Sequence, residues 1–280
     1  MKRLIAAAAA FAMVTALTTG AAQARAADPV AALTAQLKSA HGVHFNSVSK
    51  IEPDLGFKSR TYGDLQFGRS RITASSIIAT SSQEETLPPE LIDLFGGFDL
   101  SSTQTINVKG ATYLSGPLVG LLDPPPGKTW IRAKAKGNSS GLGNTAINVL
   151  SPKELRTLLK STTSKKPGGV VNGVATTLYT GRQKLDVSLP GYPLSWTLNW
   201  KLWIGTEDGL IRRITTRDVL ESTDTKGKKQ QVKLSSDTYL TAWGKKVWID
   251  PPAEQYVWDF EDAIGEFTKP NVIGAINLGD

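Results

Sequence analysis

Alternation of apolar and polar positions dominates the second half of the chain. Trp196, Leu198, Trp200, Leu202 and Ile204 alternate with Ser195, Thr197, Asn199 and Lys201, the period-two signature of a strand with one buried face. Trp196, Trp200 and Trp203 also fit helical spacing. Pro193 before the run and Glu207-Asp208-Gly209 after it favour the strand. Leu210 to Leu220 reads as the returning partner, and Thr225-Lys226-Gly227-Lys228 as the next turn. Gln231 to Leu234 and Thr238 to Trp243 continue the meander, with Lys245 to Ile249 ending at Pro251-Pro252. Upstream, Thr105 to Val108 and Thr112 to Ser115 flank the hairpin signal Lys109-Gly110, while Trp130 to Ala135 and Gly173 to Val187 read as further strands. Short strands joined by tight turns predict an antiparallel sheet.

Helical signals are few. Asp28 is placed to cap a helix with Pro29 at its first position and Val30, Leu33, Leu37 and Ala40 on one stripe; Gly42 is placed to end it. Ser151-Pro152-Lys153-Glu154 reads as a capping box, with Leu150 and Leu155 spaced as its hydrophobic staple. Leu155, Leu158 and Leu159 supply the buried stripe, and Pro167-Gly168-Gly169 ends the basic stretch that follows. Pro88 to Phe95 is a further short candidate, closed by Gly96-Gly97. A last one runs from Asp259 to Lys269, ahead of a loose tail beyond Pro270.

The N-terminus has a different character. Lys2 and Arg3 precede an apolar run from Leu4 to Leu17, and small residues lead to Ala22-Gln23-Ala24 and Ala24-Arg25-Ala26. This is the three-part pattern of a secretory signal, cut after Ala24 or Ala26. The run is shorter than the about 20 apolar residues that span a bilayer. The expected organisation is a signal peptide over 1–26, one domain over 27–258 and a C-terminal helix and tail over 259–280. Removing the signal takes three cations and no acid from a net charge of +7. The mild balance that remains does not call for a nucleic-acid partner. Lys165-Lys166, Lys226 to Lys229 and Lys245-Lys246 read as solvated turns, with contact to an anionic envelope surface as the alternative.

The composition excludes more chemistry than it suggests. With no Cys there is no disulfide scaffold, thiolate metal site, cysteine nucleophile or lipidated N-terminal cysteine. The only two histidines, His41 and His44, flank Gly42 and have no adjacent acid to complete a metal set. No Gly-x-Ser-x-Gly elbow occurs. Ser47-Val48-Ser49-Lys50 matches Ser-x-x-Lys without its companion motifs. Gly137 to Gly143 lacks the Lys-Ser/Thr ending of a phosphate loop. Neither a catalytic residue nor a cofactor is expected.

Six of the seven Trp fall between Trp196 and Trp258. Either they fill an ordinary sheet core, or one sheet face and the helices enclose an apolar ligand cavity. The candidate cavity residues are Trp196, Leu198, Trp200, Leu202 and Ile204 on the strand, with Leu155 and Leu159 beneath. Which parity of the strand faces inward stays open, because the turn after Ile204 allows two registers.

Several stretches carry a family likeness. They are Val108-Lys-Gly-Ala-Thr-Tyr-Leu-Ser-Gly-Pro117 with Gly127-Lys-Thr-Trp-Ile131; Gly173 to Gly181; Trp203-Ile-Gly-Thr-Glu-Asp-Gly-Leu-Ile-Arg-Arg213; and Tyr239 to Pro252. In this order the chain resembles the LolA-like superfamily, nearest the LppX/LprG group of bacterial envelope lipoproteins. The resemblance implies an α+β fold: a strongly curved antiparallel half-barrel with helices packed on its concave side around a hydrophobic cavity. It implies a carrier of lipid or lipoprotein acyl chains, with transient membrane-surface contact and no catalysis. A sensor that binds an envelope protein with the same fold is the alternative. The lipobox cysteine of that group is absent here, so a secreted or envelope-associated, non-lipidated protein is expected.

Overall fold

The structure is a computed structural model. It describes residues 27–52, 57–83, 102–120, 122–134, 142, 147–189, 192–223 and 229–261. The predicted signal peptide, the Pro88 to Phe95 helix, most of Gly137 to Gly143 and all but the start of the C-terminal helix and tail lie outside these residues.

The strands are β1 (His41–Glu52), β2 (Phe57–Phe67), β3 (Ile72–Gln83), β4 (Ser102–Val108), β5 (Ala111–Ser115) and β6 (Trp130–Lys134). They continue with β7 (Thr162–Val171), β8 (Val174–Leu189), β9 (Tyr192–Gly205), β10 (Ile211–Thr223), β11 (Lys229–Lys246) and β12 (Val257–Asp259). Helices α1 (Pro29–Gln36), α2 (Pro117–Gly120) and α3 (Pro152–Lys160) accompany them. All twelve strands form one sheet, ordered β12-β6-β5-β4-β3-β2-β1-β11-β10-β9-β8-β7. Two meanders, β1 to β6 and β7 to β11, are joined where β11 returns to pair with β1. Among the described residues only the short β12–β6 pair is parallel. The sheet is open, with β12 and β7 as its edges.

This topology places the helices. The chain leaves β6 near one edge and re-enters at β7 on the other, so the connection that carries α3 must cross the sheet. Leu155 and Leu158 of α3 and Val30 and Leu33 of α1 join one buried cluster with Phe45, Leu65, Trp200, Leu202, Ile214 and Leu240. Directly paired residues share a face in an antiparallel sheet. The helices therefore cover one face, called inner below. A second cluster of Ala74, Ile106, Val108, Tyr113, Val247, Ile249 and Val257 gathers beyond β3 and is sealed by the segment after β11. Arg132 clamps that segment: it meets Asp259 through Nε and Nη2 at 2.7 and 2.8 Å, and Glu254 through Nη1 at 2.7 Å. The Arg132 hydrogen bonds hold the Asp259 carboxyl below its ordinary range.

The helix starts follow the sequence. Asp28 Oδ1 accepts from Val30 N at 2.9 Å, and Ser151 Oγ accepts from Glu154 N at 3.4 Å. The return arm of the capping box differs: Glu154 Oε2 accepts from Asn148 N rather than from Ser151. Leu150 and Leu155, the staple pair, are both buried in the main cluster. The hairpin at Lys109-Gly110 forms as predicted, with both residues at positive φ (53° and 78°).

Three expectations are corrected. Helix α1 stops at Gln36, so Gly42 is a strand residue and not its cap. It is glycine because a Cβ there would run into the Leu65 carbonyl oxygen and the Val247 side chain. Pro167-Gly168-Gly169 does not end the basic stretch. It lies inside β7 at a register shift, where an edge strand tolerates a proline's missing N–H. Lys165 and Lys166 are thus strand residues. The two apolar runs over 231–243 are one continuous strand, β11.

Candidate functional site

Strand β9 shows its even-numbered side to the helices. Leu198, Trp200, Leu202 and Ile204 are buried, Trp196 is half-buried at the end of the same row, and Trp203 faces the other way. Leu155 is buried against this row and Leu159 packs half-buried beside it. The candidate residues thus share one face, and the strand parity left open by the sequence is resolved. Leu155, Leu198 and Leu202 retain no accessible surface and Trp200 only 1%. A side chain lining an open water-sized space would keep some. The fully buried members are therefore in close contact with protein, whereas Trp196 and Leu159 have surface left for a ligand.

Along the strands the inner face changes character. Beyond Phe45, Leu240 and Ile214 comes a belt of hydroxyls that satisfy one another across strands. Ser47 Oγ and Thr238 Oγ1 are 2.7 Å apart, and Thr216 Oγ1 and Ser236 Oγ 2.8 Å apart. Ser59 and Thr61 are buried next to them. Past this belt the face becomes apolar again, with Ile51, Leu234, Leu220 and Trp196 half-buried. Asp218 stands at the boundary, buried opposite Leu198 on β9 and Leu234 on β11. It borders a hollow of about 80 Å³ lined by Ser49, Lys50, Ile51, Leu234, Ser235 and Ser236. Burial pushes its carboxyl above the ordinary carboxylate range, and the neighbouring Trp196 indole pulls the other way. The indole N–H stops short of hydrogen-bond geometry. Trp196 Nε1, Trp200 Nε1 and Asp218 Oδ1 are left without partners among the described residues.

The other tryptophans scatter. Trp203 stacks under the Arg213 guanidinium at 4.7 Å, Trp243 Nε1 donates to the Ile211 carbonyl oxygen at 2.9 Å, and Trp258 is buried with Val119 and Ile131. Their crowding in the sequence does not make one wall. Of the two histidines, His44 pairs through Nδ1 with Asp64 at 3.1 Å. No group of three metal-ligating side chains occurs among the described residues, and no helix there is long and apolar enough to cross a membrane.

Sequence reasoning missed a second feature, on the outer face. A groove of about 520 Å³ is lined there by Thr163, Thr180, Arg182, Asn199, Lys201, Thr215 and Arg217, over the backbone of Gly181, Trp200 and Thr216. Its cations come from three strands. The signal in the sequence is Arg or Lys at positions of outward parity, and it becomes a cluster only once the register is known.

No family model matches the chain, and no curated protein matches it. Among solved structures, a LolA superfamily protein from Nitrosomonas europaea is similar at 10% identity, over 79% of this chain and 94% of that one, with a TM-score of 0.26. A DUF1329 family protein from Desulfovibrio piger is similar at 10% identity, over 80% of this chain and 96% of that one, with a TM-score of 0.24. Superpositions this loose carry no assignment.

Proposed function

We propose that this chain is an exported binding protein that holds a lipid or other acylated ligand by its hydrocarbon part against the helix-covered face, without catalysis. The observation that carries the reading is the course of the inner face. It runs from the packed cluster into half-buried Trp196, Leu220, Leu234 and Ile51, with Leu159 of α3 at the cluster's edge. The ligand lies along this margin, and a shift of α3 extends it over Leu155, Leu198, Trp200, Leu202 and Ile204. Each buried methylene contributes about 0.8 kcal/mol, so one long acyl chain supplies roughly 10 kcal/mol before ordering costs. Affinity of that kind needs no polar motif.

The stretches that resemble the LppX/LprG group support the same reading, with that face as the concave side of a half-barrel. The chain has no cysteine, so on this reading the carrier is not held through a lipobox lipid. A second reading, a sensor that docks an envelope protein, is favoured by Trp248 and Tyr256 on the segment after β11, which are 74% and 46% exposed.

Leu159→Trp tests the proposal with a fluorescent acyl probe. Added volume at the cluster's edge should reduce probe uptake at least several-fold while the fold is retained. In a solid core the same change overpacks and costs about 1–3 kcal/mol. Lost stability with unchanged probe binding contradicts the proposal.

A further inference from the structure

The outer face carries a series of cations that runs across the strands. Cross-strand pairing sets Lys58, Lys50, Ser235, Arg217, Asn199 and Arg182 in one row over β2, β1, β11, β10, β9 and β8. At about 4.8 Å per strand the row is roughly 24 Å long. The neighbouring row contains Arg60, Val48, Asp237, Thr215, Lys201 and Thr180. Lys50, Lys58, Arg60, Arg182, Lys201 and Arg217 are all exposed. The acid of these rows, Asp237, is held by Arg213 through two hydrogen bonds of 2.8 and 2.7 Å. Lys50 and Lys58 stand directly opposite each other, and like charges so placed destabilise a sheet. This one opposed pair sets like charges side by side on the exposed face.

We propose that this face binds a linear polyanion bearing phosphate groups, seated in the groove between Arg182, Lys201 and Arg217 and continuing along the row toward Lys50 and Lys58. Arg182 and Arg217 offer planar, forked donors suited to phosphate oxygens. Lys201 sits between them as a compact charge, and Thr163, Thr180, Thr215 and Asn199 add neutral polar groups. The occupant is a chain and not a flat bilayer because three of the cations line a concavity and the others follow from it along two adjacent rows. The aromatic ring among the lining residues, Trp200, is turned to the inner face, so the groove has no platform for stacking a base. It meets the charged backbone. This site lies on the opposite side of the sheet from the acyl-binding face, and its occupancy is independent of that reading.

The test uses inorganic polyphosphate and the full exported chain. The triple variant R182E/K201E/R217E should lose binding tenfold or more. A charge-matched variant on exposed helix-side lysines, K38E/K153E/K160E, should lose far less. For the parent, affinity should fall with salt, and the slope of log K against log salt should become shallower by roughly 2 in the groove variant. Should the glutamate variant fail to fold, R182Q/K201Q/R217Q removes the same charges without reversing them and is expected to lose binding in the same direction. Equal losses in the groove and helix variants would reduce the effect to net charge and overturn the site. Binding to vesicles containing phosphatidylglycerol without binding to polyphosphate would overturn the polymer in favour of a membrane. Acyl-probe uptake measured on the groove variants should be unchanged, which separates this outcome from that of the acyl-binding reading.

Discussion

The indole of Trp200 lies across Gly181 on the neighbouring strand and occupies the space a side chain there would need. A Cβ on Gly181 would collide with the Cζ2 and Cε2 atoms of the ring and would meet the Ser161 carbonyl oxygen at 2.6 Å. This one glycine lets the largest buried side chain of the cluster lie flat between β8 and the end of α3. Gly181→Ala should therefore cost about 1–3 kcal/mol, a fall in melting temperature of several degrees for a chain of this size. Gly120→Ala is the control, because nothing lies within 4 Å of a Cβ there. Thermal melts of the two variants compare them directly.

Asp218 should make stability depend on pH in the opposite sense to a salt-bridged acid. Burial raises its folded-state pKa, so the folded chain keeps this proton to higher pH than the unfolded chain does. The contribution of the group is complete below its ordinary value of 3.8 and declines as pH rises through the raised folded value. Asp218→Asn should thus be more stable than the parent at pH 7.5, because the neutral amide removes a buried negative charge. The two should converge near pH 3.5. Melts at both pH values check this; an equal difference at both would contradict it.

Arg213 is held by two kinds of contact at once. Its guanidinium forks onto Asp237 and lies 4.7 Å from the Trp203 ring centroid and 5.0 Å from that of Tyr239. Lysine keeps the charge but neither the fork nor the stacking plane. Arg213→Lys should lower stability by about 1 kcal/mol. Only part of that loss should disappear in high salt, because stacking is less screened than the ion pair. Denaturant midpoints at low and high ionic strength measure both parts.

Legibility from the sequence follows the range of the interactions. Asp28 and Ser151 cap helices through residues two and three positions away, and both starts could be read. The strand from Ser195 to Ile204 was legible because its burial alternates without a break. Gly42 was not, since the reason for its being glycine lies in Leu65 and Val247, distant in the chain. Pro167 reads as a breaker locally; only its place on the edge strand β7 explains why it sits inside the sheet. The candidate residues share one face. Their division into packed residues and the half-buried Trp196 and Leu159 depends on where α3 rests, which no periodicity reveals. The outer cations were invisible for the same reason: Arg182, Arg217, Lys50 and Lys58 become neighbours only through the register of six strands.

The central claim is that a hydrocarbon ligand occupies the margin of the helix-covered face. Native mass spectrometry of the exported protein, purified from its own host without detergent, tests it most directly. The expected result is a population carrying one added mass that matches an acylated lipid and is released on collisional activation, absent from Leu159→Trp. A spectrum containing only the bare polypeptide for the parent protein would contradict it.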